Sequence, residues 1–575
     1  MRRTLTGLAV AAVGLTATGV AIGQISGGVP SANPRSGTPA DILATGYTKA
    51  VVAQGATPLE NPTGIFTKYG YLNDAASQNS GLPTKTEPDQ NVYLVSKVNP
   101  GGPEAGYDYG HHFLVQAHEL FSGSAGVGHS NSAYATRVNL DVPLGDPHRI
   151  TLLTTSSNGT DTGQASLDGA SYDPFTGDLV FTGEGNNAFG GVFKTRFSWA
   201  GSTTPPATTQ LLGSMGTAGY EGVQFDSHGN VYLVEDAGGS TVTDNGTPTK
   251  VKQPNSFVYR FKPTTPGDLT AGRLQVLQVS ADGTPITFHT GAGARDDALG
   301  EPIRRLHSGE SLDAQWVTVH DTTTDGTATF NANTLAKAAG GTPLKRPENG
   351  KFVPDSGFRS FVFTETGDTD KTAGEYPGAA SRGAWGSVIR IDMPSAGSNA
   401  AEVRTIVVGD PQHAAFDNVT FLDRNTLLVG EDRGDGLHQS LNALDSLWAF
   451  DITQPIDQIN DKAQRLVAQG RDPESLDDVT KKEGTPPVAD QNDGDNEVTG
   501  IHVSDGNMSI GGLLGAYDPA TLSGVRTFVT YQHGANTTFE LFAPAKVATG
   551  TGPAGKDGKD GKDGAPGTNG TNGTN

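Results

Sequence analysis

Four segments of this chain repeat one plan: an acid, a short apolar run, a turn, a second apolar run and another acid. LDGASYDPFTGDLVFTGEG (residues 167–185) turns on Asp173-Pro-x-x-Gly and ends at Glu184. GYEGVQFDSHGNVYLVED (219–236) runs from Glu221 through a turn at Asp226 to Glu235 and Asp236. AFDNVTFLDRNTLLVGEDRGDG (415–436) runs from Asp417 to Glu431 and Asp432, and the longer KRPENGKFVPDSGFRSFVFTETGD (345–368) from Glu348 to Glu365. Runs of about five residues joined by tight turns are antiparallel hairpins, and a hairpin returns its last residue to the end where its first began. Each unit therefore predicts two carboxylates at one open end. Hairpins repeated radially, as propeller blades, would converge those ends around a central axis.

The rest of the chain is consistent with this plan. Gly 78 and Pro 34 punctuate short Val/Leu/Phe/Tyr runs, which predicts an all-β fold with little helix. The run 456–469 spaces its apolar residues as a surface helix would, and a helix is expected there. Lys+Arg 40 against Asp+Glu 62 gives a net charge of −22, a field that repels nucleic acid and gathers cations. The absence of cysteine removes disulfides, thiolate metal sites and a cysteine nucleophile together.

The two ends carry signals of their own. Arg2 and Arg3 precede a mildly apolar run, with Ala21 and Gly23 placed for cleavage before Gln24, so residues 1–23 are expected to be a signal peptide and the protein to be exported. No second apolar segment follows that could span a membrane, so an integral membrane protein is not expected. Residues 24–40 read as a linker, 41–547 as the folded domain, and 552–575 as eight Gly-X-Y triplets, the period of a collagen helix. That tail predicts a homotrimer.

Acids crowded at one end of several hairpins cannot all stay ionised without cations, because like charges and burial both raise their pKa. Calcium is the natural occupant of such an oxygen cluster, with iron or manganese as alternatives. Glu184, Glu221 and Glu348 are the leading candidate ligands, followed by Glu119, Asp417 and Glu497. Asp490 to Glu497 (DQNDGDNE) also has calcium-loop composition, though its glycine is misplaced for an EF-hand. No H-E-x-x-H and no G-x-S-x-G occurs, which leaves zincin and serine-hydrolase chemistry without support.

Several motifs, in order along about residues 87–542, resemble those of the PhoX-type phosphatases: His118-Glu119 after HHFLVQA, Tyr220-Glu-Gly, Arg346-Pro-Glu, Phe416-Asp-Asn, and NEVTG followed by YQHG at Gln532 and His533. The resemblance implies an exported six-bladed β-propeller whose carboxylates hold iron and calcium, and the hydrolysis of small phosphate monoesters. It makes Arg346 and Glu348 the expected catalytic pair, with Arg346 clamping phosphoryl oxygens through its planar fork, and Arg346, Asn418 and His533 the expected substrate contacts. One segment departs. The family's Thr-Cys-Glu-Glu is Thr182-Gly183-Glu184-Gly185 here, so the thiolate iron ligand is missing. That loss favours calcium over iron. It also leaves room for two other functions, a calcium-stabilised binding propeller gathered by its tail and an esterase or lactonase at the same calcium.

Overall fold

The computed structural model describes residues 42–64, 66–70, 86–119, 133–154, 164, 166–185, 189–199, 202–441, 443–468, 497–513, 524–532 and 536–544. The expected signal peptide, linker and Gly-X-Y tail lie outside them, as do His533 and all of the acidic loop except Glu497. No described helix is long and apolar enough to cross a membrane.

The described chain is mostly β and folds as consecutive antiparallel sheets. The first sheet begins with strand β1 (Glu87–Val95) and continues through His112–Glu119, Tyr134–Asn139 and Ile150–Leu152. The second begins with β2 (Leu167–Asp173) and continues through Asp178–Gly185, Gly191–Arg196 and Thr209–Gln210. The third is β3 (Ala218–Phe225), Val231–Glu235, Val258–Pro263 and Gly272–Ala281, and the fourth β4 (Pro347–Phe352), Ser360–Glu365, Ser387–Asp392 and Ala400–Val408. The fifth runs from β5 (Phe416–Asp423) through Thr426–Glu431 and Ser446–Asp451 to Gln464–Ala468. The sixth runs from β6 (Val498–Ser504) through Arg526–Tyr531 to Thr538–Phe542.

The first strands of these sheets pack in a closed circle, β1 on β2, β2 on β3, β3 on β4, β4 on β5, β5 on β6 and β6 back on β1. This is a propeller-like arrangement. The chain's beginning secures the circle: Thr48–Ala53 is the outer strand of the sixth sheet, pairing Thr48 with Phe542, and Ile42–Leu43 edges the fifth. Strand Leu312–Asp321 pairs with the outer strands of both the third and fourth sheets and ties them together.

Local chemistry explains the turns. Asp173, Asp226 and Asp423 each accept backbone N–H bonds from residues two to four further on, the Asx-type bond that closes a turn. Gly177 and Gly229 supply the positive φ angles of +81° and +76°. The core lies between adjacent sheets, where Phe181, Val223, Leu233, Phe363 and Val429 are fully buried, each such side chain contributing about 1.5–3 kcal/mol of transfer free energy.

The helix expected over 456–469 is not there. Residues Asn460–Lys462 form a single 3-10 turn, and Gln464–Ala468 is a strand pairing with Ser446–Asp451 and Ile42–Leu43. Leu466 and Val467 are both buried because this strand lies between two others and is covered on both faces, so the helical spacing was a coincidence of a two-sided strand.

Candidate metal centre

Every inner strand is interrupted at the same place. The ladder of each first hairpin shifts register within Pro88/Asn91, Phe181/Gly183, Tyr220/Val223, Pro347/Gly350, Phe416/Val419 and Thr499/His502. A bulge bends its strand and re-aims a side chain. Asp89, Asp168, Glu221, Glu348 and Asp417 lie inside these shifts at equivalent positions of β1 to β5, and in β6 Thr499 is the last paired residue before the shift. In four sheets the residue two positions earlier has a left-handed backbone although it is not glycine: Ser166, Arg346, Ala415 and Glu497, with φ of +26°, +55°, +56° and +40°. Such conformations cost about 1–3 kcal/mol each and persist where the surroundings enforce them.

Cross-sheet bonds do the enforcing. The Thr182 hydroxyl accepts the Gly169 N–H at 2.8 Å and donates to the carbonyl of Glu221 in the next sheet. Thr364 repeats this, accepting from Asn349 N–H at 3.2 Å and donating to the carbonyl of Asp417. Asn91 donates its amide to the carbonyl of Gly500, joining the first sheet to the sixth. Gly222 has no alternative at its bulge, since a Cβ there would stand 2.6 Å from Asn349 Oδ1 and 3.0 Å from its Cα.

The second strands deliver more acids to the same region. Glu119 and Glu184 lie at the ends of their strands, Asp236 and Asp432 just beyond theirs, and Glu184 pairs with Gly219 where the second sheet meets the third. Oxygens of Asp89, Glu119 and Asp168 lie within 4.8 Å of one another, as do those of Asp89, Asp417 and Glu497 and those of Glu221, Asp236 and Glu348. All six ligand candidates expected from the sequence, Glu119, Glu184, Glu221, Glu348, Asp417 and Glu497, interact electrostatically with members of this cluster. Asp89 and Asp168 were not among them, although Asp168 stands in the quoted LDG segment. Pro88-Asp-Gln was the missed signal, an acid followed by a polar bulge residue and then the strand NVYLV.

The hairpin rule holds for some second acids and fails for others. Glu365 turns away from the cluster to His307 Nε2 at 2.8 Å, Ser387 and the Lys345 N–H. Glu431 pairs with Arg433 at 2.6 Å, and Glu235 accepts from Phe257 N–H, the Tyr259 hydroxyl and Asn333. These three occupy the same place at the end of a second strand and brace the loops beyond it, leaving the residue after it, Asp236 or Asp432, to face the cluster.

The cluster calls for positive charge. Burial, reinforced by neighbouring carboxylates, pushes Asp89, Glu119, Glu221, Glu348, Asp417 and Glu497 well above the usual carboxylate range. Burial likewise raises Glu184 to about 7 and lifts Asp168. Among the described residues, buried Asp168 Oδ1 and Asp417 Oδ2 meet no hydrogen-bond partner, and neither does either amide atom of Asn349 beside Glu348. Orphaned buried oxygens among carboxylates, arranged as three oxygen trios, fit hard cations such as calcium. With no sulfur in the set, a thiolate-bound iron does not fit Gly183.

Of the expected substrate contacts Arg346 lies at the cluster's edge, Asn418 lies inside it, and His533 is outside the described residues. Arg346 donates from Nε to Asp236 Oδ2 at 2.6 Å and places Nη2 3.5 Å from Glu348 Oε1. These carboxylates outweigh burial and hold its guanidinium above its ordinary pKa. Asn418 is fully engaged inside, donating to Asp89 Oδ1 at 3.1 Å and Thr499 Oγ1 at 2.6 Å. It therefore positions Asp89. Gln532 does the same, donating to Asp89 Oδ2 at 3.1 Å and Glu119 Oε1 at 3.0 Å.

No family model and no curated relative matches the chain. Among solved structures it is similar to Pseudomonas fluorescens PhoX in complex with vanadate, a transition state analogue, with a TM-score of 0.51 and 12% identity over 91% of this chain and 98% of that one. It also matches XC5397 from Xanthomonas campestris, a gluconolactonase, at a TM-score of 0.31 and 12% identity, covering 86% and 100% of the two chains. The first likeness is one of fold, and the second is too slight to carry an argument. Together with the closed circle of sheets, the first supports a propeller-like fold.

Proposed function

We propose that this chain is an exported, metal-dependent phosphoester hydrolase built on a six-bladed propeller, with calcium as its principal cation. The observation that carries the reading is the pairing of a buried carboxylate ring with one arginine at its rim, Arg346. Cations bound by the ring would supply positive charge to phosphoryl oxygens and acidify water. The chain's own part is positional. The bulges fix Asp89, Asp168, Glu221, Glu348 and Asp417 before any ligand arrives, and Arg346, with Nε committed to Asp236, keeps further N–H groups for phosphoryl oxygens. In the overall reaction water attacks phosphorus, the ester P–O bond breaks, and the alcohol leaves with a proton.

The test is hydrolysis of a chromogenic phosphate monoester by the purified protein at pH 7 to 10, after chelation and after return of calcium or iron. Turnover that requires metal and is lost in Arg346→Ala supports the reading. The missing thiolate at Gly183 favours a second one, a calcium-stabilised binding protein trimerised by its Gly-X-Y tail. Absence of turnover with a calcium-dependent rise in melting temperature would select it.

A further inference from the structure

The bulge that aims each acid also aims the residue three positions later at the axis. Five of those positions, Val92, Ser171, Gln224, Lys351 and His502, line one cavity together with Gln90, so the cavity is the axial channel seen by all the inner strands. Its composition inverts that of the ring of acids. Among the described residues no carboxylate lines it, and its lining offers the Lys351 and His502 nitrogens together with the Asn91 amide oxygen, which is also buried without a partner.

Lys351 carries three N–H donors and no acceptor, and this half-buried side chain lines the lumen. Gln90 has its carbonyl oxygen committed to the Ala170 N–H at 3.1 Å, so that its amide N–H groups are what it can offer the lumen. His502 is 5% exposed and its Nε2 is buried without a partner among the described residues. An unmet buried nitrogen facing a polar cavity implies an occupant. The space measures about 20 Å3, enough for one small particle at about 10–15 Å3 each and too little for a phosphate or an organic acid.

We propose that this channel is a monatomic anion site, taking a halide such as chloride between Lys351 Nζ and His502 Nε2. The occupant would compensate the Lys351 ammonium, which no carboxylate among the described residues reaches by hydrogen bond or ion pair. Its role is structural: it satisfies the donors of β1, β4 and β6 at once and holds those strands at the axis, one layer away from the acids. It is independent of any hydrolytic activity, so either idea can fail without the other.

Bromide is the probe. Crystals of the full chain grown in sodium bromide are expected to give an anomalous peak at the bromine edge between Lys351 Nζ and His502 Nε2. In solution, bromide at constant ionic strength, with gluconate as the balancing anion, is expected to raise the melting temperature saturably, and Lys351→Met to abolish that dependence. A water or an empty channel in bromide crystals overturns the proposal, and so does a melting shift that persists in Lys351→Met. Should that variant fail to fold, the same melting comparison with His502→Gln and the wild-type anomalous peak decide.

Discussion

Arg346 Nε and Asp236 Oδ2 stand 2.6 Å apart across the boundary between the third and fourth sheets, and Arg346 is held there in a left-handed backbone conformation. Two constraints thus fix a side chain with a long flexible stem. Such a fixed fork is what bidentate recognition of a phosphoryl group requires. Arg346→Ala is expected to lower kcat/KM for a phosphate monoester by about 100-fold or more. Arg346→Lys should recover little of it, since an ammonium cannot replace the fork. Asp236→Asn, which keeps the size but loses the ion pair, should mainly raise KM. Steady-state kinetics of the three variants with calcium present check this.

The pH dependence of the metal-free protein follows from the raised carboxyl pKa values. Glu184 ionises near 4.5 when exposed and at about 7 in the folded chain, chiefly because it is buried. Between those values the folded protein holds more protons than the unfolded one, so stability falls as pH rises through this window. The other buried acids of the ring act in the same direction. The chelated protein is therefore expected to melt highest near pH 4 to 5 and lose several degrees by pH 7 to 8. Added calcium should reverse the slope, because cations bind the ionised ring and displace its protons. Calorimetry across pH with and without calcium reads both effects.

Much of this centre was legible in the sequence because a hairpin's ends must meet. Glu221, Glu348 and Asp417 follow from that geometry alone, and the order of motifs places Glu119 and Glu497 with them. Three things were not legible. The bulges are a feature of backbone pairing that no apolar alternation encodes, which hid Asp89 and left Asn418 looking like a substrate contact when it serves as a brace. The outward turn of Glu365, Glu431 and Glu235 depends on His307, Arg433 and Asn333, partners that are distant in sequence or supplied by the loop beyond. The strand Gln464–Ala468 mimicked a helix because both its faces are covered, and an apolar pattern without alternation cannot distinguish the two.

Thr182 offers a test of how the ring is held. Its hydroxyl takes the Gly169 N–H and gives to the Glu221 carbonyl, so Thr182→Val leaves both buried groups unmet in a side chain of the same shape. The expected loss is about 1–3 kcal/mol of stability, read by denaturant unfolding in the presence of chelator. Calcium affinity should fall as well, because the bulge that aims Asp168 and the carbonyl beside Glu221 lose their common anchor. Thr182→Ser, keeping the hydroxyl, should restore most of both.

The sharpest separation between ring acids and bracing acids comes from removing one charge of each kind. Glu221 is buried among Asp168, Glu184 and Glu348, which raise its pKa along with burial itself. Without metal at pH 8 it is a liability, and Glu221→Gln is expected to raise the melting temperature. With calcium the order should invert, since the variant has lost a ligand. Glu365 behaves oppositely. Burial raises its pKa, but His307, Ser387 and the Lys345 N–H outweigh that and hold it below the ordinary range. Glu365→Gln removes a satisfied buried charge and strands His307, so it should lower the melting temperature by an equal amount with and without calcium. Melting curves of the two variants, each with chelator and with calcium, distinguish the classes: a Glu221→Gln protein that melts lower in chelator would mean that the ring is a set of ordinary structural acids.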